Sequence, residues 1–153
     1  MASIDDVYKK FGIAAEAAQL LETELSTLLL GIRGLEQGWH ISPDPKAGQK
    51  VLAEIDSQTL GAVLKRLRET VQFDDQISEK LASALRARNR LMHGFYERHN
   101  FKMQADEGRD AVVADLEILH AKLFAAWQLA GVMSHLVVQA VVDQQAKHEP
   151  GPA

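Results

Sequence analysis

Apolar side chains recur every three or four residues along most of this chain and nowhere alternate strictly with polar ones, a periodicity that predicts helices and no strands. Ile13, Ala17, Leu20, Leu21, Leu25, Leu28, Leu29, Ile32 and Leu35 mark a long amphipathic helix over roughly 4–35. Gly31, Gly34 and Gly38 weaken its end, and Pro43 and Pro45 prevent it from continuing past Trp39 and His40. A loop is expected there, with a short helical turn near 49–55. Asp56 and Ser57 offer an N-cap to a shorter helix reaching about Val71, with Leu60, Val63, Leu64, Leu67 and Val71 facing inward.

Asp74 and Asp75 supply capping carboxylates to a third helix that starts around 73–76. Its inward row reads Ile77, Leu81, Ala84, Leu85, Arg88, Met92 and Phe95. After a polar break at about 100–108, a last long helix runs from near Arg109 to about Lys147. Its core row is Val112, Leu116, Leu119, Leu123, Trp127, Ala130, Met133, Val137 and Val141. The tail from His148 to Ala153 is expected to fray. The predicted fold class is all-α, an up-and-down bundle of four to five helices forming a single domain over residues 1–153.

Residues 123–142 carry no charge over about the length that spans a bilayer. Gln128, His135 and Gln139 nevertheless share one stripe, which Asp110 and Glu117 extend, and such a stripe predicts a central helix of a soluble bundle, with no membrane partner. The start of the chain has neither the basic residues nor the apolar run of a secretory signal, so a cytoplasmic location is expected. With no cysteine, disulfides, thiolate nucleophiles and Cys-ligated zinc are excluded.

Charge changes the picture. The chain is acidic, with net charge −4, yet from Arg86 to Lys102 the basic residues Arg86, Arg88, Arg90, Arg98 and Lys102 face one acid, Glu97. This stretch is net +4 and leaves about −8 for the rest. Such concentration can focus an anion, and a phosphodiester is the obvious candidate; the alternative is a solvated helix face laced with surface ion pairs. Arg88 falls on the core row, where a guanidinium must reach an anion, a carbonyl or a carboxylate such as that of Glu54, Asp75 or Glu117, within the chain or across a subunit boundary. Arg86, Asn89, His93 and Tyr96 form a second row beside it. There a neutral imidazole can take a proton from a hydroxyl and an arginine can hold the charge that builds on a phosphorane. Gly94 opens a gap directly after His93.

Arg88-Asn89-Arg90-Leu91-Met92-His93 resembles the Arg-polar-x-x-x-His signature of HEPN domains, with Arg88, Asn89 and His93 matching it in turn. The helical layout, with the motif late in the third helix and a long helix after it, is also similar to that family. The resemblance implies a metal-independent endoribonuclease without cofactors, with two motifs meeting in the cleft of a homodimer. It implies catalytic roles for three residues: His93 as general base or acid, Arg88 stabilising the pentacoordinate phosphate and Asn89 orienting either. RNA would be held by Arg86, Arg90, Tyr96 and Arg98, and no signal points specifically to DNA. A toxin or defence nuclease restrained by an antitoxin or regulatory protein fits this reading; so does a catalytically silent module that binds RNA, a nucleotide or a partner protein. One HEPN subfamily, paired with a nucleotidyltransferase antitoxin, carries a modified tyrosine two residues after the histidine; here that position is Phe95, and Tyr96 comes one later.

Elsewhere, Glu117 and His120 form half of a di-iron helix motif without its second half, so no metal is expected. His135 reads as a satisfied buried or interfacial histidine, and Trp39 as an anchor of the loop. No glycine-rich phosphate loop or Gly-x-Ser-x-Gly elbow is present.

Overall fold

In the computed structural model, which describes residues 1–149 and 151, the chain is all-α. Six α-helices and one 3-10 turn follow in order among the described residues. They are α1 (Ile4–Gln37), α2 (Pro45–Asp56), α3 (Leu60–Thr70), α4 (Asp75–Met92), α5 (Phe95–Arg98), the 3-10 turn (Asn100–Gln104) and α6 (Asp106–His148). This is one α-helix more than the upper end of the four to five expected, because the helix predicted to carry the basic stretch breaks at Gly94 and resumes as α5. Of the tail expected to fray, Pro150, Pro152 and Ala153 lie outside the described residues.

Polar side chains set the helix starts. Asp44 accepts from the Ala47 N–H at 3.1 Å and Asp74 from the Ile77 N–H at 2.8 Å, each satisfying a backbone donor that has no intrahelical partner. With Pro45 fixing φ at its first position, α2 forms a full helix of 12 residues where only a short turn was expected. The cap of α3 is Thr59, which accepts from the Ala62 N–H at 3.2 Å, and not Asp56 or Ser57. Ser57 is already used by the preceding helix: its N–H closes α2 on Ala53 O, and its hydroxyl donates to Glu54 O at 2.7 Å.

The chain divides into two compact units. The first holds Met1–Leu21 and Phe73–Gln128. Its core comes from Val7, Ala14, Ala18 and Leu21 of α1, Leu81, Ala84, Ala87 and Leu91 of α4, Phe95 of α5, and Val112, Leu116, Leu119, Leu123 and Ala126 of α6. The inward row of α4 therefore runs through Ala87 and Leu91, where Arg88 and Met92 were expected; Arg88 is only half-buried and Met92 is exposed. The row need not lead on to position 95, because the left-handed turn at Gly94 (φ 72°) redirects the chain before Phe95 enters the core.

The second unit holds Glu22–Gln72 and the described residues from Leu129 onward. Leu25, Leu28 and Leu29 of α1, Ile55 of α2, and Leu60, Val63, Leu64 and Leu67 of α3 are buried there. Trp39 lies over Gly34, where an added Cβ would stand 3.3 Å from the ring, and its far edge reaches Gly48 of α2. The ring anchors the loop, as its sequence position suggests. His40 extends the tie, its Nε2 lying 2.6 Å from Gln144 Oε1.

The last part of α6 departs from the central helix expected. Beyond Ala130 none of its described residues is buried: Met133, Val137 and Val141 are half-buried, while Val132, Leu136, Val138 and Val142 are more than half exposed. His135 is exposed as well, with Gln128 and Gln139. By length and composition alone α6 could cross a membrane.

Candidate functional site

The basic stretch folds around one cleft of the first unit. A cavity of about 420 Å³ is lined by Arg86, Asn89 and Arg90 of α4, by His93 at its C-cap and by Arg98 of α5. Positions 86, 89, 90 and 93 follow the three- and four-residue spacing of one helix face, and α5 returns Arg98 to that face after the turn at Gly94. The C-terminal carbonyls of α4 carry roughly half a negative charge and disfavour an anion there. The three guanidiniums outweigh them.

Five of the seven residues expected at the site thus line the cleft, and two do not. Arg88 lies two residues from both Arg86 and Arg90, about 200° around the helix from each, and its Nη1 donates to Asn89 Oδ1 at 3.5 Å. Two acids considered for it are engaged elsewhere, Glu54 with Arg33 at 3.9 Å and Glu117 with Lys10 at 3.2 Å. Tyr96 turns away into an aromatic cluster, its ring centroid 5.2 Å from Phe11, 5.4 Å from Phe95 and 6.4 Å from Tyr8. Burial, and then the neighbouring Tyr8, push its hydroxyl above the ordinary tyrosine value. His93 also differs from expectation. It is the C-cap of α4, its N–H bonded to Asn89 O at 3.0 Å, with extended backbone and an exposed side chain.

Two residues that periodicity did not single out organise the cleft wall. His99 is the one buried polar or charged residue among those described, 5% exposed, and its Nε2 lies 2.7 Å from Asp115 Oδ2 of α6. The same oxygen accepts from Arg90 Nη2 at 2.7 Å. Burial pushes the Asp115 carboxyl up, but hydrogen bonds from Arg90 and His99, together with their charge, outweigh it and hold the group below the ordinary carboxylate value. The cue for this residue was present in the sequence: Asp115 precedes Leu116 and follows Val112 by three on a helix whose core row is otherwise apolar, a position where an acid needs a basic partner.

The Arg86 pair is of a different kind. Its Nη2 meets Glu79 Oε1 at 2.6 Å, but both side chains are about two-thirds exposed, so the pair is worth little and can yield to a phosphate. Arg98 is exposed. The cleft therefore presents one guanidinium locked by a carboxylate and two that are readily available to an anion.

Glu117 meets Lys10 at 3.2 Å, and the His120 ring stacks 5.7 Å from Phe124. Among the described residues, no three His, Asp or Glu side chains gather closely enough to hold a metal ion. No protein-family model, curated protein or solved structure matches the chain.

Proposed function

We propose that this cleft binds the phosphodiester backbone of RNA and that the chain is a metal-independent endoribonuclease of HEPN type. The convergence of Arg86, Arg90, Arg98, Asn89 and His93 around one cavity carries the reading. Three cations, an amide and an exposed imidazole are the groups that a ribose–phosphate linkage needs: charge for the phosphorane, a donor for its oxygens and a base for the 2′-hydroxyl. In the cleavage step the 2′-oxygen attacks phosphorus as its proton passes to the His93 imidazole. The 5′-oxygen leaves and takes up a proton, giving a 2′,3′-cyclic phosphate and a 5′-hydroxyl.

One observation bears on how many chains are needed. The lining of the cleft contains a single imidazole and no carboxylate, whereas the step uses both a base and an acid. A homodimer with two facing clefts supplies the second histidine, and it is also the arrangement in which Arg88 of the matched motif can join the phosphate. The same observation favours a second reading, in which the cleft of one chain binds RNA without cutting it. A toxin or defence role under an antitoxin-like partner in the cytoplasm follows from the nuclease reading and stands or falls with it.

Incubation of the purified protein with single-stranded RNA in EDTA separates the readings. Cleavage that ends in a cyclic phosphate and is lost in His93→Ala supports the nuclease; salt-sensitive binding without cleavage supports the binding module. A protein that ignores RNA refutes both.

A further inference from the structure

Phe101 is 82% exposed, the largest exposure of any phenylalanine, tyrosine or tryptophan in the described residues, yet it stands on a turn that is held in place. On one side His99 is buried and tied to Asp115 at 2.7 Å. On the other, the Lys102 N–H closes on His99 O at 2.9 Å, and α6 approaches so near that a Cβ on Gly108 would fall onto the Lys102 backbone. An apolar ring on a slack loop can fold back and cover itself; one on a braced turn stays presented to solvent. Along the chain Arg98 precedes the ring by three residues and Lys102 follows it directly, and Arg98 lines the cleft. His99 between them keeps a near-helical bend (φ −111°, ψ 12°), so Phe101 stands roughly 5–6 Å along the chain from Arg98 at the rise of helical and 3-10 backbone.

We propose that Phe101 is a stacking platform for an unpaired nucleobase beside the phosphate cleft, so that the site selects single-stranded RNA over duplex. The proposal rests on the reading of the cleft as a phosphodiester site and extends it to the form of nucleic acid accepted. A base has a π face that stacks on phenylalanine whatever its sequence, while its own or a neighbouring phosphate reaches the arginines. In a duplex the faces of the bases are covered by their neighbours, and the ring gains nothing. Asp115 acts on both parts as a positioning residue, holding Arg90 in the cleft and His99 at the start of the turn that carries Phe101.

The probe is a fluorescein-labelled, 2′-O-methylated single-stranded RNA of about twelve nucleotides, near the upper range of such site sizes, which lacks the free hydroxyl that cleavage requires. Its affinity is read by anisotropy against the same RNA annealed to its complement. Phe101→Ala should weaken single-strand binding about 5- to 150-fold, the range that stacking of one base accounts for, and leave duplex binding unchanged. Phe101→Trp should restore binding, and its added indole should be quenched by the single strand. If Phe101→Ala binds as tightly as the wild type, the platform is refuted and the cleft reading stands. If the wild type binds neither form, both fall. If Phe101→Ala leaves RNA affinity intact but changes the sedimentation coefficient, the ring is a protein contact and the platform is again refuted.

Discussion

His99 Nε2 lies 2.7 Å from Oδ2 of Asp115, and that oxygen also accepts from Arg90 at the same distance. One carboxylate thus ties the cleft wall on α4 to the turn after α5, in a place where only 6% of the His99 side chain and 19% of Asp115 is exposed. Removing it leaves a buried histidine and a half-buried arginine without their acceptor, so Asp115→Ala should destabilise the protein by about 1–3 kcal/mol in chemical denaturation. Asp115→Asn, which keeps an acceptor oxygen but no charge, should cost less.

The same carboxylate has a pH signature. Its folded-state value lies below its unfolded one, so its stabilisation is fully present above the ordinary carboxylate value and is lost as pH falls through the depressed one. Thermal unfolding followed from neutral to strongly acidic pH should show the wild type losing its advantage over Asp115→Asn within that acid window. A constant difference in melting temperature down to the lowest pH would contradict the charged network.

Three glycines make a prediction that is independent of function. Gly94 has φ of 72° and starts the turn between α4 and α5, so Gly94→Ala should cost about 1 kcal/mol in backbone strain. Gly108→Ala should cost more, because the added Cβ meets the backbone of Lys102 and no flexible side chain can give way. Gly12 lies inside α1 with nothing near its missing Cβ, and Gly12→Ala should stabilise by about 0.5–1 kcal/mol through helix propensity. Denaturant midpoints of the three variants test this order.

Long periodic segments were legible from sequence because periodicity reports burial: α1 and α6 begin and end within a few residues of where the spacing of Leu, Ile and Val places them. The N-cap of α3 was misassigned because Ser57 and Thr59 are chemically equivalent candidates, and only the hydroxyl contact of Ser57 with the preceding turn decides between them. The row on α4 holds at Leu81 and Ala84 and is one residue off only beyond them, at Ala87 and Leu91, because the pattern extends straight to Phe95, a step that ignores the left-handed turn at Gly94. At the site, one helix face was enough to group Arg86, Asn89 and His93, and it also brings in Arg90. It could not predict that Tyr96 would leave for the Phe11 cluster, nor that His99 would be buried, since neither lies on α4. The exposed apolar surface of α6 beyond Ala130 was hidden by the same fact: a row of valines and leucines reads as core whether or not anything covers it.

Tyr96 offers a spectroscopic check on the aromatic cluster. The chain has two tyrosines, so Tyr8→Phe leaves a single phenol to titrate by ultraviolet absorbance. Burial, the larger cause of its raised value, survives that substitution, and Tyr96 should ionise above the ordinary tyrosine value. The sign for stability is the reverse of the Asp115 case: with the folded value raised for an acid, the unfolded state loses its proton first and stability falls as pH climbs past 10. An ordinary titration would mean that the cluster does not enclose the ring.

The division of labour among the arginines gives the sharpest test of the proposed chemistry. Arg86 and Arg98 are the more exposed guanidiniums of the cleft, so each should contribute to RNA affinity through counterion release. Arg98→Ala should lower the slope of log K against log salt by about 0.7 for a single strand, with little effect on melting temperature. Arg90 is bound to Asp115, and Arg90→Ala should lower both affinity and stability. His93, exposed at the C-cap, should matter for turnover alone: His93→Ala should lower cleavage about 10²-fold or more while RNA affinity changes little. Arg88 decides whether one copy or two build the site. If the composite reading is right, Arg88→Ala lowers turnover as severely as His93→Ala, and an excess of either inactive variant suppresses the wild type, because a mixed dimer lacks one of the groups that the shared site needs. An Arg88→Ala protein that keeps wild-type turnover would assign the chemistry to a single cleft, with Arg86 and Arg98 as its phosphate-facing guanidiniums.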